Sequence, residues 1–164
     1  MTSAAPVVFR EDALAPGSEG LWLAALDHLA RRFKAIRPLP VDELSSDRAA
    51  AGRELDAWAG DDLANWRLEL ARFYDDHAGV QLRRDPAIGE RLRLLKASGT
   101  PIAAYGVGPR EASSAVLAYL GLERRLDVVV LEPDGDPFAA ACAALGSDPG
   151  SARHIVTREQ LDTL

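Results

Sequence analysis

The sequence predicts an α/β fold, a Rossmann-like parallel sheet of about four strands with a small helical cap inserted after the first strand. Two observations support this prediction. In the second half of the chain, short apolar runs alternate with helical segments, a pattern typical of right-handed βαβ units. Between the first apolar run and the second, three consecutive segments show only helical periodicity, which indicates an insertion made of helices.

The predicted strands are short apolar runs that end at charged or small residues, as expected of strands buried on both faces of a parallel sheet. They cover residues 6–9, 101–105, 126–131 and 153–157. Helices are predicted beside them from apolar residues at three- and four-residue steps and from bounding Pro and Gly residues. These helices cover residues 86–97, 110–120, 138–145 and 158–164.

The cap is predicted to occupy residues 15–79, and the core domain residues 1–14 and 80–164. Ser18 is the expected N-cap of the first cap helix, and Asp61 or Asp62 that of the third, because short polar side chains accept from free N–H groups there. The cap helices cover residues 18–33, 41–59 and 61–77, and Trp22, Trp58 and Trp66 are expected to anchor their shared core.

Composition restricts the classes of function. The chain of 164 residues has a formal charge of −6 with both signs interleaved, which argues against nucleic acid or an anionic membrane as a partner. Cys142 is the only cysteine, so we predict a buried structural thiol and no intrachain disulfide. The N-terminal segment does not have the pattern of a signal peptide. We therefore expect a cytoplasmic protein.

Two segments carry a resemblance to a known family. They read VVFREDAL at residues 7–14 and TPIAAYGVGPREASSAVLAYLGLERRLDVVV at residues 100–130. Together with the inserted helices, they resemble the haloacid dehalogenase-like hydrolases, in particular the phosphoglycolate-phosphatase-like branch with a helical cap. The resemblance covers nearly the whole chain and implies the same sheet and cap.

The resemblance implies a chemistry that this sequence does not complete. The family uses an Asp nucleophile, a second Asp as acid and base, a Ser or Thr and a Lys on the phosphoryl oxygens, and acidic ligands for Mg²⁺. Here the nucleophile position is Arg10 and the acid/base position is Asp12. The hydroxyl position is Gly106, and Arg158 stands where an acidic ligand is expected. Residues 126–152 contain no Lys or Arg, so the phosphate-binding cation is also missing.

The sequence therefore predicts a catalytically inactive hydrolase-fold protein, a pseudophosphatase that binds a protein or a small anion. We expect no metal and no cofactor. The alternative is a phosphatase with displaced catalytic residues that uses Glu11 and Asp12 with Mg²⁺.

A second alternative is a nucleotide-binding module built on Gly106-Val107-Gly108, with Glu132 at the end of the next strand. Glu111 stands where the third small residue of that fingerprint belongs, and an acidic side chain there would repel a pyrophosphate. The sequence therefore favours a tight turn at the two glycines.

The candidate ligand-binding residues are Arg10, Asp12, Gly106, Gly108 and Arg158, all expected at the carboxyl edge of the sheet, where open α/β sheets bind ligands. Two arginines in place of two carboxylates would form an anion site without metal. The structural alternative, which we favour, is that Arg10 and Arg158 pair with neighbouring carboxylates at positions 11, 12 or 159.

We also expect a homodimer. The resembled family usually continues to a fifth strand, so the strand at residues 153–157 is predicted to be a sheet edge. An open edge invites pairing with another chain unless it is covered. The alternative is that the C-terminal helix or residues 1–5 cover it.

Overall fold

The structure is a computed structural model that describes residues 4–164. In this part of the chain a parallel sheet of four strands has the order β3-β2-β1-β4. The strands are β1 (Val7–Arg10), β2 (Ile102–Tyr105), β3 (Val128–Val130) and β4 (Arg153–Ile155). The predicted fold class is confirmed, and the strand at residues 153–157 forms an edge of the sheet, as expected.

The two central strands are buried because their side chains are apolar on both faces. Val7, Val8 and Phe9 of β1 and all four residues of β2 are buried. In the parallel register Arg10 pairs with Tyr105, the last residue of β2. The carboxyl ends of β1 and β2 therefore lie side by side, and the loops that follow them share one edge of the sheet.

Short helices connect the strands and complete the core domain. Helix α1 (Glu11–Leu14) follows β1 directly, and α5 (Pro86–Ala97) leads into β2. The predicted bounds of residues 86–97 and 110–120 agree with the structure, because Asp85 caps α5 through the Ala87 N–H and Gly121 ends α6 with a left-handed conformation. The remaining helices are α6 (Arg110–Leu120), α7 (Pro137–Ala144) and α8 (Arg158–Asp162).

The cap consists of α2 (Ser18–Phe33), α3 (Arg48–Ala59) and α4 (Trp66–Gln81). The prediction of Ser18 as N-cap is wrong, since Gly17 holds that position with a φ of 91° and Ser18 bonds to Asp12 instead. The prediction of Asp61 or Asp62 as N-cap is also wrong, because residues 61–65 form turns and α4 begins at Trp66.

Residues 41–59, predicted as one helix, form a short 3₁₀ turn at Val41–Glu43 and then α3. The Asp47 carboxylate starts α3 by accepting from the Ala50 N–H. The break places Arg48 in the first turn of α3, where its side chain reaches the core domain.

The cap and the core domain share a hydrophobic cluster. Trp22, Trp66 and Tyr74 of the cap are buried, and they pack in one cluster with Ala112 and Val116 of α6. Helix α7 covers the face of the sheet that carries Val8 and Ala103, and it buries Ala141 and Cys142 there. Cys142 is therefore buried, as predicted. Within residues 4–164 no helix is both long enough and apolar enough to cross a membrane.

Candidate functional site

The candidate site lies at the carboxyl edge of the sheet, beneath the first turn of α3. The Arg10 side chain is 40% exposed and lines a cavity of about 190 Å³ together with Arg48, Tyr105, Gly106 and Val107. Its Nη2 lies 3.2 Å from Asp12 Oδ2, while its Nε is buried and has no hydrogen-bond partner. One donor of this guanidinium is thus left without an acceptor at the site.

Asp12 is held by two hydrogen bonds and one ion pair. Its Oδ1 accepts from Arg48 Nη2 at 2.6 Å and from Ser18 Oγ at 3.0 Å, and its Oδ2 lies beside the Arg10 guanidinium. The carboxylate therefore links the core domain to α2 and α3. The predicted pairing of Arg10 with a neighbouring carboxylate is present here.

Sequence reasoning missed Arg48, because a single continuous helix over residues 41–59 gives this position no special direction. Its side chain is only 11% exposed, and its Nη1 lies 3.8 Å from Glu11 Oε2. Arg48 thus supplies a second guanidinium to the cavity that contains Arg10.

Glu11 is buried behind the site, with 2% of its surface exposed. Its Oε2 accepts long bonds of 3.4 Å from the Val107 N–H and the Ser113 hydroxyl, and its Oε1 has no partner. Burial raises the pKa of this carboxyl to about 7, although the Arg48 guanidinium opposes the shift. Burial therefore favours the protonated form of this carboxyl more than water does.

Gly106 cannot be replaced by a residue with a side chain without local movement. A Cβ at this position would lie 2.6 Å from Cβ and Oγ of Ser113 and 3.1 Å from Leu131. The Gly106 N–H donates to the Val130 carbonyl, which fixes the loop against β3. The close approach of α6 therefore explains why no hydroxyl-bearing side chain stands at the end of β2.

Tyr105 and His154 also meet at this edge, although neither was a candidate from the sequence. Tyr105 Oη lies 2.7 Å from His154 Nε2, and the His154 ring stacks on Phe138 at a centroid distance of 4.0 Å. Burial raises the pKa of Tyr105, with the Arg10 charge opposing it. The two residues meet because β2, β1 and β4 lie side by side in the sheet, and no local sequence pattern predicts this contact.

Gly108 lines a second and larger cavity, of about 660 Å³, that borders the first at Gly106. Arg67 of α4 closes one side of it. Its guanidinium donates to carboxylates of Asp56, Glu111 and Glu132 at distances of 2.8–3.1 Å.

The arginine bonds have two effects on these carboxylates. They hold the pKa of Asp56 below its ordinary value. Glu132 has a φ of 44°, a conformation that side chains rarely adopt, and Arg67 fixes it. Arg67 thus engages Glu132, the acidic residue of the nucleotide-binding alternative, and Glu111, which departs from that fingerprint, so both serve cap contacts here.

Arg158 lies apart from the other candidates. It ion-pairs with Asp85 at 2.7 Å and with Asp162, and it lines neither cavity at the carboxyl edge. Its expected neighbour Glu159 is not a partner. Arg158 instead ties α8 to the start of α5, a contact between segments far apart in sequence.

The side chains at this site do not fit Mg²⁺, which prefers several oxygen ligands in octahedral array. Each oxygen of Asp12 lies beside a guanidinium group, Oδ1 beside Arg48 and Oδ2 beside Arg10, and Glu11 is buried behind the loop. In the part of the chain that the structure describes, no group of three or more His, Cys, Asp or Glu is arranged to hold a metal ion.

Comparison with known proteins identifies the fold. No protein-family model and no curated protein sequence matches the chain. Solved structures do match, among them a predicted phosphoglycolate phosphatase from Haemophilus somnus 129PT, at 16% identity and a TM-score of 0.64, over 95% of this chain and 78% of that one. A haloacid dehalogenase-like hydrolase from Bacteroides fragilis matches at 16% identity and a TM-score of 0.64, over 96% and 80%.

A haloacid dehalogenase-like family protein from Streptococcus pneumoniae matches at 13% identity and a TM-score of 0.58, over 95% of this chain and 76% of that one. The sheet, the cap and these matches define a protein with the haloacid dehalogenase-like hydrolase fold. The resemblance given by residues 7–14 and 100–130 is thereby confirmed for the fold.

Proposed function

We propose that this chain is a non-catalytic member of the hydrolase fold, a pseudophosphatase that binds a small oxyanion, free or carried by a partner protein. The observation that carries the proposal is the Arg10 guanidinium. It is the last residue of β1, where the resembled family places its nucleophile, and its 40% exposed side chain lines a cavity of about 190 Å³ together with Arg48. A guanidinium cannot attack phosphorus, but it binds oxyanions well.

The neighbouring groups support binding rather than hydrolysis. Asp12, the one match to the family's acid/base position, accepts hydrogen bonds from Arg48 and Ser18 and is ion-paired with Arg10, so it already serves as a structural partner of two cations. Gly106 supplies no hydroxyl, and α6 leaves no room for one. The phosphatase alternative would need Glu11 as a ligand or base, and that carboxyl is buried beneath the loop at Val107.

The cavity has donors for an oxyanion. Arg10 and Arg48 line it from the core domain and from the cap, and Tyr105 borders it. Two guanidinium groups from opposite sides provide the forked donors that phosphate and sulfate accept. Because the cavity is small, the charged group itself is the part of the ligand that this site would hold.

Thermal unfolding with inorganic phosphate and sulfate tests the proposal. A ligand that binds only the folded protein raises its stability by RT ln(1 + [L]/Kd), so the melting temperature should rise with anion concentration. Arg10→Ala should weaken anion binding by about tenfold or more, the worth of a charge-assisted hydrogen bond. The matched control is Arg153→Ala, an exposed arginine on β4 that lines neither cavity at this edge. An unchanged melting temperature, or equal losses in both variants, would contradict the proposal.

A further inference from the structure

A cavity of about 540 Å³ lies between α5 and the end of α6, away from the candidate site. It shares no lining residue with the two cavities at the carboxyl edge. Its volume is within the range of about 300–1,000 Å³ typical of pockets for small molecules. The proposed function does not use it.

The floor of this cavity is apolar. Leu14, Ile88 and Leu122 form it with buried side chains that belong to the core cluster under the sheet. Leu120 adds a partly exposed side chain at the same place. Since Leu14, Ile88 and Leu122 are almost fully buried, the apolar surface that a ligand would remove from water lies on Leu120 and on the exposed Pro86. Covering such surface stabilises the bound state by about 25 cal/mol per Å².

The rim carries three arginines and two carboxylates. Both carboxylates are engaged: Glu90 Oε1 lies 2.6 Å from Arg93, and Asp85 caps α5 and pairs with Arg158. The charges of Glu90 and Arg93 therefore offset each other, and Asp85 is offset by Arg158. The net positive charge of the rim then comes from Arg84 and Arg125.

Arg84 and Arg125 make no ion pair within residues 4–164 and bond only to backbone carbonyls. Arg84 Nη2 donates to the Tyr119 carbonyl at 3.0 Å, and its guanidinium lies 5.3 Å from the Tyr119 ring centroid. Arg125 Nη1 makes a long bond of 3.4 Å to the Gly89 carbonyl. Both guanidinium groups keep free donors at the rim, on a chain whose net charge is −6.

From the apolar floor and these two arginines, we infer a second binding site, for an organic anion with an apolar body. Its carboxylate, sulfonate or phosphate ester would lie near Arg84 and Arg125, and its aliphatic or aromatic part on Pro86 and Leu120, above the buried floor. The arginines would then select charge, and the apolar side chains would select an apolar group.

The probe for this site is 8-anilinonaphthalene-1-sulfonate, which combines one anionic group with an aromatic body. Fluorescence titration of the whole chain should show saturable binding at one site. Replacing both arginines, Arg84→Ala with Arg125→Ala, should weaken the dye affinity by about tenfold or more. The matched control is Arg83→Ala with Arg124→Ala, which removes the same charge from adjacent exposed arginines outside the cavity, and it should leave the affinity within about twofold. Equal losses in the two double variants would overturn the site.

A second measurement locates the dye without any variant. The backbone amide resonances of Gly89 and Gly121, which line this cavity, should shift as dye is added, while those of Gly106 and Gly108 stay unchanged. Shifts at Gly106 and Gly108 alone would place the dye at the carboxyl edge and refute the inference. Naphthalene sulfonate should displace the dye, and inorganic sulfate at the same concentration should displace little of it. If sulfate displaced the dye equally well, charge alone would explain the binding and the apolar part of the site would be refuted.

Discussion

Arg48 Nη2 lies 2.6 Å from Asp12 Oδ1, so a residue in the first turn of α3 is bonded to the segment that follows the central strand β1. The same guanidinium lies 3.8 Å from the buried Glu11 carboxyl. One side chain of the cap therefore balances both carboxylates at this edge of the core domain. If Arg48 were removed, Glu11 would lose the guanidinium nearest to it, and Asp12 would keep only Arg10.

Replacing Arg48 by Ala should lower the free energy of unfolding by about 2 kcal/mol. Breaking a buried ion pair typically costs about 3–5 kcal/mol, and we expect less here because Asp12 is partly exposed and keeps Arg10 as a partner. Urea unfolding measures the loss. Arg53→Ala, an exposed arginine of the same helix, is the matched control and should change stability by less than about 0.5 kcal/mol. Similar losses in the two variants would argue against the bridge.

Glu11 should make the stability depend on pH. Its pKa is raised by burial from 4.5 to about 7 in the folded chain, so the folded form holds a proton more tightly than the unfolded form. Its contribution is complete below pH 4.5 and is lost as the pH rises to about 7. The Gln side chain of Glu11→Gln does not ionise. Between pH 4.5 and about 7, the free energy of unfolding of this variant should therefore rise by roughly 3 kcal/mol relative to that of the wild type. Urea unfolding of both proteins across the interval tests this, and parallel pH profiles would show that Glu11 ionises normally.

Arg67 should contribute most at neutral pH. Its hydrogen bonds hold the pKa of Asp56 below its ordinary value of 3.8, so this stability is present above pH 3.8 and is lost as the pH falls through the folded pKa. Arg67→Ala should cost about 1 kcal/mol near pH 7, since the pair is partly exposed, and less in acid. Arg72→Ala, on an exposed position of the same helix, should change little at either pH. A cost of Arg67→Ala that stays constant with pH would mean that its packing, not its charge, matters.

The chain should not hydrolyse phosphomonoesters, and millimolar Mg²⁺ should leave its melting temperature unchanged. Arg10 stands at the nucleophile position, and a guanidinium group lies beside each oxygen of Asp12, so a divalent cation would meet two positive charges. Assays with generic phosphomonoesters at several pH values test the first point. Turnover that scales with purified protein and disappears in Asp12→Asn would establish a phosphatase, and a Mg²⁺ shift lost in Asp12→Ala would reveal a metal site.

We expect a homodimer formed through β4. The Arg153 N–H donates to the Pro6 carbonyl, so in a parallel ladder the His154 N–H and carbonyl point away from β1, toward the open edge. Gln160 of α8 already accepts from the Val156 N–H, so the His154 N–H is the outward donor that a second chain would meet. Light scattering across a concentration series measures the mass. His154→Pro removes the outward N–H and should favour monomer, whereas His154→Asn keeps it. A protein that stays monomeric at high concentration would disprove this expectation.

The sequence predicts the core domain better than the cap, and the difference has a physical cause. Helices α5 and α6 were predicted with correct bounds because local signals end them: the Asp85 cap, Pro86 and Gly121. Helix α4 begins later than predicted, at Trp66, whose indole N–H donates to Asp56 of α3. Because this contact joins two helices, it cannot be predicted from the periodicity of either segment alone.

The candidate site follows the same division. The positions of Arg10, Asp12 and Gly106 at the carboxyl edge could be predicted, because apolar runs in the sequence mark the ends of the strands that place them. Arg48 and Tyr105 were missed, since each acts through a partner more than thirty residues away in the chain. Arg158 shows the converse: its position after β4 was foreseen, and its partner Asp85 was not.

The hydrophobic cluster that α2 and α4 share with Ala112 and Val116 of α6 bears on how a ligand enters. If the cap moved away from the core domain to admit a ligand, the surfaces that separate would become exposed to water. Here the parting surface would include Trp66 and Tyr74, both almost fully buried, so opening would expose aromatic area at a cost of several kcal/mol. We therefore expect the proposed anion to reach Arg10 through the open side of the cavity while the cap stays packed on the core domain.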